Sequence, residues 1–364
     1  MGSRKRVRNL FINIGLVFLS LVGTFFIAEF ATRILYRDTL MMTPRYHKDF
    51  QYGKYTIRGI RPNLEFWHKT RGGSWKFTTN RQGFRNYRDF DYAKPDGIIR
   101  VLSLGDSQTL GHEVRQEFTY SAVLERYLEK NGYKAEVMNT GVSGFGTAEE
   151  LAFLENEGIK YSPDFVIVGF FANDFLGNVK ADLFRLEEND SLVEKDYVHI
   201  PGVRIQNIIY DIPLVKWLSE NSYFYSLLFN YVWIYFRQRL TEKSSGQVAF
   251  EYAIVTEEEF TDYQIRLTAA LLRRMHLYCQ RNNAKLIILD IPRRQGEYGS
   301  KSSFPEALVK SVTNFGGEYL ASDSILEDFS EVGQIYVPHG HHISEMTHTL
   351  IGITIGKHII DHLQ

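Results

Sequence analysis

Four short apolar runs, 98–104, 135–138, 165–171 and 285–291, constrain this chain more than any other feature. Runs of that length bounded by polar turns read as buried strands, and helical patterns lie between them. One helix is predicted from about Phe118 to Lys130, with Ala122, Val123 and Tyr127 on its buried side and Asn131-Gly132 as the stop. A second, from about Tyr263 to Tyr278, places Tyr263, Leu267, Leu271 and Met275 at four-residue spacing and leads into the Lys285 run. A last helix follows Ser344, a good N-cap, and is expected to present Met346, Leu350, Ile353 and Ile360 to the sheet. Strands alternating with helices predict an α/β domain on a parallel sheet. With 44% hydrophobic residues in 364, the chain can bury a sizeable core.

The first forty residues carry a different signal. Arg4, Lys5, Arg6 and Arg8 precede an apolar run from Leu10 to about Ala28, close to the length a bilayer requires. A cleaved signal peptide would have a shorter apolar region, and Ala28-Glu29-Phe30 lacks small residues at both positions before a cut. The run therefore reads as one N-terminal transmembrane helix. The basic cluster puts residues 1–9 in the cytoplasm and everything after the anchor, residues 10–36, outside it, in the periplasm or at the cell surface.

Residues 37–96, rich in Arg, Tyr, Gly and Phe without a sustained period, are expected to be a stalk or collar of short strands. The body is 97–364, with an insertion at about 179–260. Within it, residues 223–236 are crowded with aromatic and aliphatic side chains around Asn230, a pattern shared by a lid, an acyl-binding wall, a membrane-surface helix and a buried helix of a small core. The formal net charge of −1 gives no footprint for nucleic acid. Cys279, the sole cysteine, lies in a helical pattern and excludes an intrachain disulfide.

Three strand ends carry polar turns. The first gives Gly105-Asp106-Ser107-Gln108-Thr109-Leu110-Gly111, the second Asn139-Thr140-Gly141-Val142-Ser143-Gly144, and the third Ala172-Asn173-Asp174. In open α/β sheets ligands bind at the carboxyl ends of the strands, so these turns converge on one crevice. A serine nucleophile needs a base within hydrogen-bond reach, and its tetrahedral intermediate needs N–H donors. Histidines cluster just before the last helix, in His339-Gly340-His341-His342.

The blocks Gly105-Asp106-Ser107, Gly144, Asn173-Asp174 and a C-terminal histidine resemble the ordered signature of the SGNH (GDSL) hydrolase superfamily. The segment Asn80-Arg81-Gln82-Gly83-Phe84-Arg85 resembles a stretch found ahead of the first block in membrane-anchored members. The resemblance implies a flavodoxin-like three-layer α/β/α fold, with Ser107 as nucleophile and His342 as base, His341 and His339 being the alternatives. It implies an oxyanion hole made by the Ser107 N–H, the Gly144 N–H and the Asn173 side chain. The implied activity is ester hydrolysis or acyl (acetyl) transfer without a cofactor, on an acylated glycan or lipid of the envelope.

One position departs from the pattern. The family's Asp two or three residues before the histidine is replaced by Gly340 or His339. Glu345, Asp323 and Asp328 are the substitutes considered, and a chain without any acid would read as a non-catalytic binding or assembly protein on the same fold. A metal site at His339, His341 and His342 lacks acidic or thiol partners, and none is expected. Asp106 is expected to brace the nucleophile turn. Arg293 and Arg294 read as a solvated pair or as contacts for an anionic group.

Overall fold

The computed structural model describes residues 2–37, 40, 42, 46–70, 73–195, 208–209, 211–243, 260–295, 299–326, 334–338 and 340–364. Its centre is a parallel sheet of strands β1 (Ile99–Gly105), β2 (Ala135–Asn139), β3 (Phe165–Phe170), β4 (Lys285–Asp290) and β5 (Glu318–Leu320). Their spatial order is 2-1-3-4-5, the flavodoxin-like winding. The short edge strand β5 carries no apolar run, so the sequence pattern missed it.

Both faces of the sheet are covered, which is why its central strands are apolar throughout. Helices α1 (Tyr120–Lys130) and α6 (Glu345–Leu363) cover one face, sharing a core with Val101, Val137, Ile167 and Ile287. Helices α2 (Thr147–Asn156), α3 (Asp174–Ala181), α4 (Asp262–Arg281) and α5 (Glu306–Asn314) lie on the side of Leu102, Met138, Val166 and Ile288. Cys279 is buried in that second core, where burial pushes its thiol up to about 12.

The last helix keeps its predicted face in part, with Leu350 and Ile360 packed against the core over the sheet. Its buried stripe is Thr347, His348, Ile351, Gly352, Ile355, Gly356 and Ile359, whereas Met346, Leu350, Ile353 and Ile360 are half-buried. Reading only large apolar residues hid the reason. Gly352 and Gly356 let α6 press against α1, and a Cβ at Gly352 would sit 2.7 Å from the Tyr120 carbonyl oxygen. On α1 itself Leu124 and Leu128 are buried with Val123, while Ala122 and Tyr127 are half-buried.

Two antiparallel hairpins, His47–Ile60 and Glu65–Thr78, follow the anchor and are built into the body. Their Ile57, Ile60, Phe66 and Phe77 belong to the core beneath the sheet. The N-terminal helix Gly2–Leu35 is long and apolar enough to cross a membrane, and its apolar window is not buried. Near its end, Glu29 caps a helix spanning Tyr223–Lys243, accepting from the Tyr223 N–H at 3.1 Å, the Phe224 N–H at 2.9 Å and the Ser222 hydroxyl at 2.7 Å. On this second helix Leu228, Tyr231 and Tyr235 are exposed, while Tyr223 and Ser226 at its start are buried.

The close α1–α6 contact predicts that Gly352→Ala destabilises the fold by about 1–3 kcal/mol. At an exposed helical glycine the same change would stabilise by about 1 kcal/mol. Denaturant titration of the purified protein distinguishes the two signs.

Candidate active site

Strand β1 ends at Gly105, whose φ of 152° and close surroundings require glycine: a Cβ there would strike the Thr109 side chain and approach the Gly169 carbonyl oxygen. The chain then turns through Asp106 into a short helix, Ser107–Leu110. Asp106 is fully buried and accepts from the Gln108 N–H at 2.7 Å, fixing the turn that lifts Ser107 to the carboxyl edge of the sheet. Its other oxygen accepts from the Asn173 amide at 2.9 Å. That bond ties the end of β3 to the nucleophile turn. An amide nitrogen carries two hydrogens, so one N–H of Asn173 is left for a substrate oxygen.

The turn after β2 is tied to the same place. The Val142 N–H donates to the Gly105 carbonyl at 2.9 Å, and Gly141 packs so tightly against Leu110 that a Cβ would clash. Gly144 is exposed in this turn with a φ of 79°, and its carbonyl accepts from Arg58. Three strand ends therefore meet, as the winding of the sheet requires.

His342 is buried and stands between two partners. Its Nε2 is 2.9 Å from the Ser107 hydroxyl, and its Nδ1 is 2.6 Å from Glu113 Oε2. Gln108 braces the backbone on both sides of the ring, donating to the His341 carbonyl and accepting from the Ile343 N–H. His341 itself is exposed, with its ring 4.5 Å from that of His342 and no bond to Ser107 among the described contacts. His339 and Asp328 lie outside the described residues.

Glu113 is the acid that the sequence reading missed. Of the substitutes considered there, Glu345 is engaged by Arg115 at 2.6–3.0 Å and Asp323 lies in the helix Ser322–Leu326, while Asp328 is outside the described residues. Glu113 stands 229 residues from His342 along the chain. The exchange with the family position is direct, because a Cβ on Gly340 would lie 3.2 Å from Glu113 Oε2. Glycine there leaves room for a carboxylate arriving from the nucleophile loop. One signal was available: Glu113 is the first acid after Ser107 in the same block.

The loop that carries Glu113 is held by Arg85, the last residue of the Asn80–Arg85 segment. Arg85 is fully buried and donates to the carbonyls of Leu110, Gly111 and Val114. Burial lowers its pKa to about 10, which still leaves it charged at neutral pH. Asn80 shapes the segment by accepting from the Gln82 and Phe84 N–H groups through its side chain. Beside the loop, His112 packs between His68 and His342, its Nδ1 3.2 Å from the Tyr46 hydroxyl. Burial holds His112 well below its usual value and His68 down to about 3. Both are neutral, so neither opposes a positive charge on His342.

Arg294 donates to the Gly340 carbonyl at 2.9 Å, and Arg293 donates to the Ser302 carbonyl and lies over Phe260. They are thus structural contacts of the histidine loop and its neighbour. An open groove of about 940 Å³ between Lys54, Glu155, Asp190 and Arg281 contains none of the site residues.

The order of the blocks and the geometry they make resemble the SGNH signature. No family model matches the chain. An arylesterase from Vibrio mimicus is 26% identical over 125 residues, which span 31% of this chain and 62% of that protein. The match thus covers about three fifths of the relative's length. Among solved structures, esterase EstA from Pseudoalteromonas sp. is 14% identical with a TM-score of 0.40, covering 72% of this chain and 98% of that one. Axe2, an acetylxylan esterase from Geobacillus stearothermophilus, is 13% identical with a TM-score of 0.40, covering 72% and 94%.

Behind Ser107 lie three buried acids, Asp106, Glu150 and Asp174, each raised by burial, Glu150 and Asp174 well above their usual values. Neither carboxyl oxygen of Glu150 has a hydrogen-bond partner among the described residues. A raised folded-state pKa means that the folded chain binds more protons than the unfolded chain between the two values, so stability falls as pH rises through that window. Glu150→Gln should therefore raise the thermal midpoint at neutral pH and give little gain below about pH 4, where the unfolded chain is protonated too. An equal gain at both pH values would contradict this account.

Proposed function

We propose that this chain is a membrane-anchored serine ester hydrolase or O-acyltransferase acting on a small acyl ester of an envelope glycan or lipid. The observation that carries the reading is the continuous relay from Ser107 through His342 to Glu113, with hydrogen bonds of 2.9 Å and 2.6 Å. A neutral serine becomes a nucleophile only when a base takes its proton as the new bond forms. His342 Nε2 takes that proton while Ser107 Oγ bonds to the acyl carbon. Glu113 accepts the Nδ1–H, keeps the correct tautomer and stabilises the imidazolium.

The carbonyl oxygen then carries the negative charge, and the Ser107 N–H, the Gly144 N–H and the second N–H of Asn173 are its donors. The bond to the leaving oxygen breaks as His342 returns the proton to it. Water or a sugar hydroxyl next gives its proton to His342 and attacks the acyl-enzyme, restoring Ser107. Hydrolysis and transfer share every step but the identity of this last nucleophile. The absent family Asp motivated a non-catalytic reading, and Glu113 takes away that motive.

An anchored enzyme acts where its tether holds it. With Arg4, Lys5, Arg6 and Arg8 on the cytoplasmic side, the site faces the envelope or the outer membrane surface of the helix. Acylated glycans and lipids are the esters within reach there.

A fluorophosphonate probe should label the purified chain at Ser107 and fail to label Ser107→Ala and His342→Ala. His341→Ala should label normally. Glu113→Gln should lower the rate of p-nitrophenyl acetate hydrolysis by about 10³–10⁴-fold, the scale of losing the acid in a serine triad, while Glu345→Gln leaves it within a few-fold. Unchanged turnover in Glu113→Gln would sink the triad assignment.

A further inference from the structure

A second cluster of chemically capable side chains lies at the opposite edge of the sheet. Glu318 opens the edge strand β5, and His358 and His362 lie one turn apart near the end of α6. The i, i+4 spacing puts both imidazoles on one face of the helix, directed at the same strand. Both Nε2 atoms are 2.9 Å from the same Glu318 oxygen, Oε2, and the ligand atoms of the three residues all lie within 4.8 Å of one another. All three side chains are about one-third exposed, so water and small ions reach them.

We propose that Glu318, His358 and His362 bind a divalent transition metal, with zinc the ion that their donors fit best. Two imidazole nitrogens and one carboxylate oxygen form a borderline-soft set that suits zinc and not magnesium or calcium, which take mainly oxygen. Zinc–ligand bonds of about 2.0–2.1 Å in a tetrahedron place ligand atoms roughly 3.4 Å apart. The two 2.9 Å nitrogen–oxygen pairs need to open by about half an ångström and the two imidazole nitrogens, within 4.8 Å of each other, need to settle at the same spacing, a rearrangement that partly exposed side chains allow. Water completes the fourth position. The ion takes the Nε2 lone pair of each ring, whose one hydrogen then sits on Nδ1, and because a doubly protonated imidazole has no lone pair to offer, binding weakens as pH falls.

One group opposes the ion. The Lys285 ammonium is 3.0 Å from His362 Nδ1, where it donates to the ring. With zinc on Nε2, Nδ1 carries the hydrogen and Lys285 must turn away, which its exposed, flexible stem permits.

The placement gives the site a structural role. Helix α6 spans 19 residues, about 28 Å at 1.5 Å per residue. Its first turn follows His342, and its last turn carries the metal ligands. A bound ion therefore fastens to the edge strand the far end of the helix whose near end positions the catalytic histidine.

The test uses the full chain, purified in detergent, freed of any affinity tag and stripped with a chelator. Calorimetric titration with zinc chloride should show one equivalent bound, and zinc should raise the thermal midpoint. Glu318→Gln, His358→Ala and His362→Ala, each verified as folded by circular dichroism before titration, should weaken binding more than tenfold and lose the thermal shift. Cobalt(II) added to the unaltered chain should give the visible bands of a tetrahedral site. The proposal is overturned if the unaltered chain shows no saturable zinc binding, or if binding persists unchanged in the His358→Ala/His362→Ala double variant. Labelling of Ser107 by fluorophosphonate is read separately and bears only on the esterase proposal.

Discussion

The buried guanidinium of Arg85 is the contact on which the rest of the site depends. It donates to three carbonyls of the loop after the nucleophile helix and lies against the ring of Phe77 in the second hairpin. A charge taken out of water is tolerable when its donors are met, and here both terminal nitrogens of the guanidinium are met by the backbone that must be held still. The hairpins thereby become part of the active-site wall, and the loop bearing Glu113 acquires a fixed shape.

Relocating the acid changes how the triad is assembled. In the pattern this chain resembles, acid and base arrive together on the loop before the last helix. Here the acid arrives with the nucleophile, and the histidine loop contributes only the imidazole. Gly340 supplies the space, Gln108 braces the backbone on either side of the ring, and Arg294 fastens the loop through the Gly340 carbonyl. The Ser107 helix and its loop thus position two members of the proposed triad and orient the third.

Local chemistry made much of the site legible. Gly105, Ser107, Gly144 and Asn173 sit at strand ends, and strand ends are marked in a sequence by an apolar run stopping at a polar turn. His342 was readable because an N-cap and an apolar period announce the helix behind it. Edge strand β5 was unreadable because three half-buried residues generate no pattern. The face of α6 was read in part, through Leu350 and Ile360, while its most buried stripe carries Gly352 and Gly356 beside Ile351, Ile355 and Ile359, and glycine has no weight in a count of large apolar side chains.

What the sequence by itself determined is therefore the α/β alternation, the apolar N-terminal helix and the residues that the turns present. These depend on interactions among neighbours a few positions apart, where period, capping and turn chemistry act. Only the tertiary structure decided which acid meets His342, that Arg85 supports it, and that Glu318 lies against His358 and His362. Those contacts join residues tens to hundreds of positions apart. Their cause is the winding of the sheet, which brings distant strand ends to a common edge and leaves no trace in local spacing.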